Sequence, residues 1–390
     1  MRSGDRMKIV HAAKFYPPVP GGMETVVKDL CDGTADAWDV HVVAANIGRS
    51  SVKERCGNVT VTRAGALRTA HSVPLCPTLP FRLWSTRADC IVLHEPNPLA
   101  GVALFSHTPS PRLIVWHHSD LLRPSWAPAT YGRVQRALYR RAACVIVSSP
   151  ALASKSELVP HARRVAVIPF GIRLDRFARL DDRQRALADA ICHRHPGPRM
   201  LFVGRFVYYK GLDVLVDAMA SAPGTLILAG EGPLESDIRR RAASLGLLDR
   251  VQFVGRVADA DLPAYYDSSD AVVLPSTART ETFGVVQLEA MAAGRPVIST
   301  DLPTGVPWVN QDGVSGIVVP PGQPAALAAA ISKLGADVDL RRRMGADALK
   351  RARSMFSLEQ MIDAFKGVVD DVMTRPAGEQ AHGVVRAGAQ

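Results

Sequence analysis

Short apolar runs alternate with amphipathic stretches along nearly all of the 390 residues, and they fall into two series. In the first half the runs are 8–12, 40–44, 59–63, 90–93, 112–116, 144–148 and 165–169; in the second they are 200–204, 225–230, 251–255, 271–274, 296–299 and 315–319. Helical spacing fills the gaps, as at 22–31, 131–142, 211–218, 235–245 and 324–334. A strand that is apolar along its whole length is covered on both faces. Strand–helix alternation therefore predicts parallel sheets with crossover helices. Two such series predict two doubly wound α/β domains.

The polar stretch 179–199 ends in Pro and Gly and reads as the junction. The expected layout is an N-terminal domain over 1–180, a linker over 181–199, a second domain over 200–356 and a terminal helix over 357–374. The Gly/Ala-rich tail 375–390 has no apolar period, so disorder is expected there.

Composition narrows the function classes. The net charge of +10 suits an anionic partner: a phosphorylated substrate, an anionic membrane or nucleic acid. Aromatic residues are only 6% and do not interleave with the basic ones, so a base-stacking platform for nucleic acid is not expected. No run approaches eighteen apolar residues, the length needed to span a bilayer. Residues 1–6 carry no apolar signal core and lead straight into a strand-like segment, and the six cysteines show no paired spacing. Free thiols and a cytoplasmic location are expected.

Ligands of doubly wound sheets bind beyond the carboxyl ends of the strands, which selects the residues that matter. Glu281-Thr-Phe-Gly-Val-Val-Gln-Leu-Glu289 follows one strand and opens a helix. Its carboxylates suit hydroxyl groups, and the amides of Phe283, Gly284 and Val285 at the helix start suit phosphate. The strand ending at Gly204 is followed by Arg205, and Lys210-Gly211 opens the next helix. Arg supplies a planar fork and Lys a point charge, which together suit a diphosphate. Two solvated cations in a loop would look the same. Gly21-Gly22 lets a ligand approach the backbone at the first helix, and Gly230-Glu-Gly-Pro233 is a second glycine turn. His117 and His118 end another strand; as neighbours they face opposite sides, so at most one enters a site. A purely structural histidine also fits. Asp259-Ala-Asp261 and Asp337-Val-Asp339 could suggest a metal, but both precede helices and read as caps, and His193 and His195 lack a third ligand. No metal is expected.

Together, Pro18–Gly22, Trp116–Asp120, Ile168–Ile172, Gly204-Arg205 with Lys210-Gly211, Gly230–Pro233 and Glu281…Glu289 through Gly294 resemble glycosyltransferase family 4 in order and spacing. The resemblance implies retaining enzymes of the GT-B fold: two Rossmann-like domains facing a central cleft, with a C-terminal helix returning toward the N-terminal domain. It implies that Glu281 binds donor-sugar hydroxyls and Glu289 the ribose, and that Phe283, Gly284 and Val285 offer amides. Arg205 and Lys210 would neutralise the leaving diphosphate, with Gly204, Gly21 and Gly22 close to it. His118 would touch the sugar, and Arg256 and Val257 the base.

Segments 116–121, 206–213 and 304–310 are similar to bacterial mannosyltransferases that build surface polysaccharides. The expected activity is transfer of mannose from GDP-mannose to a glycan or polyprenyl-diphosphate-linked acceptor, with no cofactor. A UDP-sugar donor, or a sugar-nucleotide epimerase or phosphorylase of the same architecture, are the alternatives. Pro74–Trp84, with Arg68, Arg82 and Arg87, mixes apolar anchors with cations and suggests peripheral contact with an anionic membrane at its inner face.

Overall fold

The computed structural model describes residues 6–19, 21–70, 73–121, 127–375 and 383–386. The strands of the first half are β1 (Lys8–Ala12), β2 (Asp39–Ala45), β3 (Val52–Cys56), β4 (Val59–Ala64), β5 (Arg68–Ala70), β6 (Val73–Leu75), β7 (Cys90–Glu95), β8 (Leu113–His117), β9 (Cys144–Val147) and β10 (Arg164–Val167). Those of the second half are β11 (Arg199–Val203), β12 (Thr225–Ala229), β13 (Val251–Gly255), β14 (Ala271–Leu274), β15 (Val297–Thr300) and β16 (Gly316–Val319), and β17 (Gly383–Arg386) follows. They divide between two compact units, Met1–Phe170 with Leu358–Gln390, and Gly171–Ser357.

The first unit carries a sheet in the order β17-β10-β9-β8-β7-β1-β2-β4-β3. Only the β3–β4 pairing in it is antiparallel. Ile9, Val10, Val40, Val42, Ile91, Leu93, Ile114 and Val115 are essentially inaccessible, as expected for strands covered on both faces. Chain order reverses between β1 and β7. The second unit holds an all-parallel sheet in the order β13-β12-β11-β14-β15-β16, and its order reverses between β11 and β14. Loops leaving the carboxyl ends of these flanking strands diverge, opening a crevice beyond the sheet edge.

The sequence reading and the structure differ in several places. The stretch 181–199, expected as a linker, is largely the helix Asp182–Arg194, which belongs to the second unit. Asp181 accepts from the Gln184 amide while the Gln184 side chain accepts from the Asp181 amide, a capping box that starts the helix despite its polar composition. The chain passes between units at Phe170 and Gly171, and again at Ser357 and Leu358. In the tail, expected to be disordered, Gly383–Arg386 pairs with the open edge of β10, whose free amides and carbonyls a β-branched segment can satisfy. The rest of that tail beyond Arg375 lies outside the described residues. Strand β3 was not anticipated, since Lys53-Glu-Arg55 has no apolar period; pairing with β4 alone makes it a strand.

The C-terminal helix Leu358–Thr374 packs into the first unit. Its Phe365 is fully buried, with ring centroids 5.9 Å from Trp38, 5.6 Å from Trp116 and 5.9 Å from His11. Gly33 lies so close to Ile362 that a methyl group on it would come within 2.1 Å of the Ile362 side chain. Arg164 pairs with Asp371, and the Arg112 guanidinium donates to the carbonyls of Val372 (3.0 Å) and Arg375 (2.7 Å). Phe365→Ala should therefore lower stability by about 3–5 kcal/mol, read as a lower urea midpoint. An unchanged midpoint would show that the helix adds little to this core.

Candidate active site

In the second unit, the loops after β11 and β14 meet at the reversal of strand order. The first runs from Gly204 to Lys210, whose last residues form a short 3-10 turn. Gly211 ends that turn with φ 64°, and a side chain on it would come within 2.1 Å of the Pro275 carbonyl. Only glycine permits so close an approach of the two loops. The Thr277 amide donates to the Tyr209 carbonyl at 2.8 Å, fastening the second loop to the first.

This contact brings Lys210 and Glu281 together. Nζ of Lys210 lies 2.5 Å from Oε2 of Glu281, and both side chains are about nine-tenths buried. The Ser276 hydroxyl donates to the same carboxylate oxygen at 3.0 Å. Burial works against a charged ammonium here, but the Glu281 carboxylate, Tyr209 and the hydrogen bond to Glu281 outweigh it, holding the Lys210 pKa above its ordinary value. Arg205 begins the same loop; it is exposed, and its guanidinium forms no ion pair among the described residues. The loop thus offers one buried, paired cation and one free to reach a ligand.

The helix Val285–Ala292 starts beside this pair. Gly284 precedes it with φ 74°, and no side chain caps its first turn. A side chain on Gly284 would meet Leu274 at 2.5 Å, so the turn is pressed against the end of β14. Phe283 anchors the turn from below, buried against Trp308 and Phe356 at centroid distances of 6.3 and 6.0 Å. The uncapped amides and the positive helix end suit anionic oxygen.

Glu289, one turn on, is half-buried, and Tyr266 donates to its Oε2 at 2.5 Å. Burial raises the Glu289 pKa, while the Tyr266 hydrogen bond and Arg176 pull it down. Its Oε1 has no hydrogen-bond partner among the described residues. Arg256 and Val257 follow β13, where the Arg256 amide donates to Glu231 at 3.3 Å. Gly230 packs against the carbonyl of Gly204, tying the turn after β12 to the same edge.

In the first unit, Gly21 and Gly22 begin the helix Gly22–Thr34 beyond β1. Arg63 on β4 steadies the loop leading there by donating to the carbonyls of Tyr16 (3.1 Å) and Pro17 (2.5 Å). His118 follows β8 and His117 faces the other side, as the alternation of a strand requires. Nδ1 of His117 is 2.7 Å from the Tyr139 hydroxyl, whereas Nε2 of His118 is 2.9 Å from Nδ1 of His94.

Asp337 caps its helix by accepting from the Leu340 amide at 2.8 Å, whereas Asp261 pairs with Arg183 at 2.7 Å and caps nothing through its side chain. The basic, apolar region places Phe81 (66% exposed) and Arg82 on the surface of the short helix Leu79–Trp84, with Leu75 exposed nearby in sequence. No helix among the described residues is long and apolar enough to cross a membrane. Sequence reasoning missed the partners that hold the site: Ser276, Tyr266, Arg63 and His94. None has a motif of its own: Tyr266 lies within the helix Leu262–Ser268, Arg63 and His94 within strands, and only Ser276, just past β14, follows a strand end.

Breaking one side of the Lys210–Glu281 pair leaves the other charge buried and unpaired. Lys210→Met and Glu281→Gln should each cost about 3–5 kcal/mol of stability, and the double variant clearly less than the sum. Chemical denaturation of the four proteins measures this, and simple additivity would mean that the two side chains are not coupled.

Two family models match the chain: "Glycosyl transferase 4-like domain" over residues 21–171 and "Glycosyl transferases group 1" over residues 188–351. Among curated proteins it is 32% identical to the O-antigen chain mannosyltransferase C of Escherichia coli, over 92% of this chain and 97% of that one. It is also 32% identical to the D-rhamnosyltransferase WbpZ of Pseudomonas aeruginosa, over 90% of this chain and 92% of the relative. Among solved structures, sucrose-phosphate synthase from Thermosynechococcus elongatus superposes with a TM-score of 0.78 at 24% identity, covering 94% and 99% of the two chains.

Proposed function

This chain belongs to the group 1 glycosyl transferases, with a glycosyl transferase 4-like N-terminal domain and the GT-B fold, and on that footing we propose that it is a retaining, metal-independent mannosyltransferase using GDP-mannose. The observation that carries this reading is the buried Lys210–Glu281 pair at the strand-order reversal, with Arg205 in the same loop and an uncapped helix end beside it.

Breaking a glycosyl–phosphate bond builds negative charge on the leaving diphosphate and positive charge on the sugar. Arg205, Lys210 and the amides at Phe283, Gly284 and Val285 stabilise the first. They are fixed before reaction and need no reorganisation during it. Two cations and a helix end make a metal unnecessary for this role. Glu281 accepts from sugar hydroxyls while its Oε2 holds Lys210 in place. The free Oε1 of Glu289 accepts from the ribose, with Tyr266 fixing the carboxylate. Arg256 and Val257 flank the base, Gly204, Gly21 and Gly22 allow backbone to approach the diphosphate, and His118 contacts the sugar.

The choice of mannose follows the O-antigen chain mannosyltransferase of Escherichia coli, and so does the acceptor class: a glycan or lipid-linked glycan in surface-polysaccharide assembly. The D-rhamnosyltransferase WbpZ is as similar in identity and marks a competing sugar. The decisive experiment is a thermal-shift screen of purified protein against GDP and UDP sugars, since binding raises the melting temperature by mass action. A shift with GDP-mannose that Lys210→Met abolishes is expected. A shift with UDP-sugars and none with GDP-mannose would overturn the donor assignment.

We also propose peripheral contact with an anionic membrane through Phe81, Arg82 and Leu75, because apolar anchors beside cations suit such a surface. Phe81→Ser with Arg82→Ser should reduce sedimentation with vesicles rich in anionic lipid. Unchanged sedimentation would remove this surface from the account.

A further inference from the structure

Three histidines form a connected row on one face of the first unit's sheet. They lie on or just beyond the adjacent strands β1, β7 and β8. Nδ1 of His11 is 3.0 Å from Nε2 of His94, and Nδ1 of His94 is 2.9 Å from Nε2 of His118. The rings stack, with centroids 5.3 and 5.2 Å apart and planes within 21° and 15°. Trp116 lies nearly parallel to His118 at 5.8 Å, Phe170 packs on His118 at 5.5 Å, and Phe365 closes over His11. Burial pushes His11 and His118 down to about 3 and His94 well below its ordinary value. All three rings are therefore neutral near pH 7.

A row of neutral imidazoles has one proton per ring, and the two hydrogen bonds make the protons choose together. Either each ring donates toward His118, leaving an N–H on His118 Nδ1 and a bare lone pair on His11 Nε2, or the whole row reverses. Both terminal nitrogens are buried and have no hydrogen-bond partner among the described residues. They are not equivalent. His11 is completely sealed, against Phe365, whereas His118 is 4% exposed at the carboxyl end of β8, where ligands of such sheets bind. A buried orphan N–H is rarer and costlier than a buried orphan lone pair, so the sealed end takes the lone pair.

We propose that His11 and His94 are positioning residues that fix the polarity of this row, so that His118 presents Nδ1–H as a donor to an oxygen of the bound hexose. The proposal rests on the assignment of His118 to sugar contact. It adds which atom of the ring acts, with which sense, and what sets it. The reverse polarity would offer the sugar oxygen a lone pair in place of a proton.

Asparagine and aspartate have the same size, but asparagine keeps an N–H donor whereas ionised aspartate can only accept, which makes position 11 the place to test this. In His11→Asn the amide still donates to His94. In His11→Asp the carboxylate accepts from His94 Nε2 and reverses the row. Imidazole nitrogen NMR on histidine-labelled full-length protein reads the tautomer of each ring directly. The expected result is Nδ1–H on His118 in the wild type and in His11→Asn, and Nε2–H in His11→Asp. Affinity for GDP-mannose should be retained by His11→Asn and fall roughly tenfold in His11→Asp, the loss of one hydrogen bond. Nε2–H on His118 in the wild type overturns the proposal, as does an unchanged His118 tautomer in a folded His11→Asp protein. If the aspartate variant does not fold, the wild-type tautomer decides alone. Failure of the functional reading looks different: His118→Ala would then transfer sugar normally while the wild-type tautomer stayed as assigned.

Discussion

The ion pair between Lys210 and Glu281 is the interaction on which the second unit's site depends. It spans the place where strand order reverses, and it ties together two loops that topology sends in opposite directions. A crevice opens at such a reversal because no crossover covers it. What fills the crevice is decided by the loop residues. Here one loop contributes a cation and the other a carboxylate, both largely out of water. A buried pair of this kind is seldom kept for stability, since apolar residues of the same volume serve a core as well or better. Its value is placement: the two loops are held in register, with Arg205, the uncapped helix at Gly284 and Glu289 arranged around them.

Glycine makes that placement possible at two points. Gly211 lets the first loop touch the Pro275 carbonyl, and Gly284 lets the second turn into its helix against Leu274. Both have positive φ, and both would clash with any side chain. Aromatic packing completes the support, with Phe283 wedged between Trp308 and Phe356. The first unit uses a different device at the corresponding strand ends. There a row of neutral imidazoles, closed at one end by Phe365 of the returning C-terminal helix, leads to His118.

Much of this was legible in the sequence, for definite reasons. Apolar runs such as Leu201–Val203 and Val272–Leu274 end abruptly at Gly204 and Pro275, so the carboxyl ends of the strands could be located, and with them Arg205, Lys210 and Glu281. Their assembly at one edge followed from the topology of two doubly wound sheets. The pairing of Lys210 with Glu281 was not legible, because 70 residues of chain separate them and nothing in either segment names the other. The sequence reading gave Lys210 to phosphate and Glu281 to sugar, without the bond that fixes both. Tyr266, His11 and His94 lie inside ordinary strand and helix patterns and carry no local mark. The helix Asp182–Arg194 did carry one, since Asp181 and Gln184 have capping-box spacing, but its charge concealed it.

The central claim is that the donor sugar-nucleotide is held at the strand-order reversal of the second unit. Amide hydrogen exchange of the intact protein, with and without GDP-mannose, tests it most directly. The account predicts slowed exchange over residues 204–211 and 281–289, the two loops joined by Lys210 and Glu281. Saturating binding with unchanged exchange in both segments would contradict it.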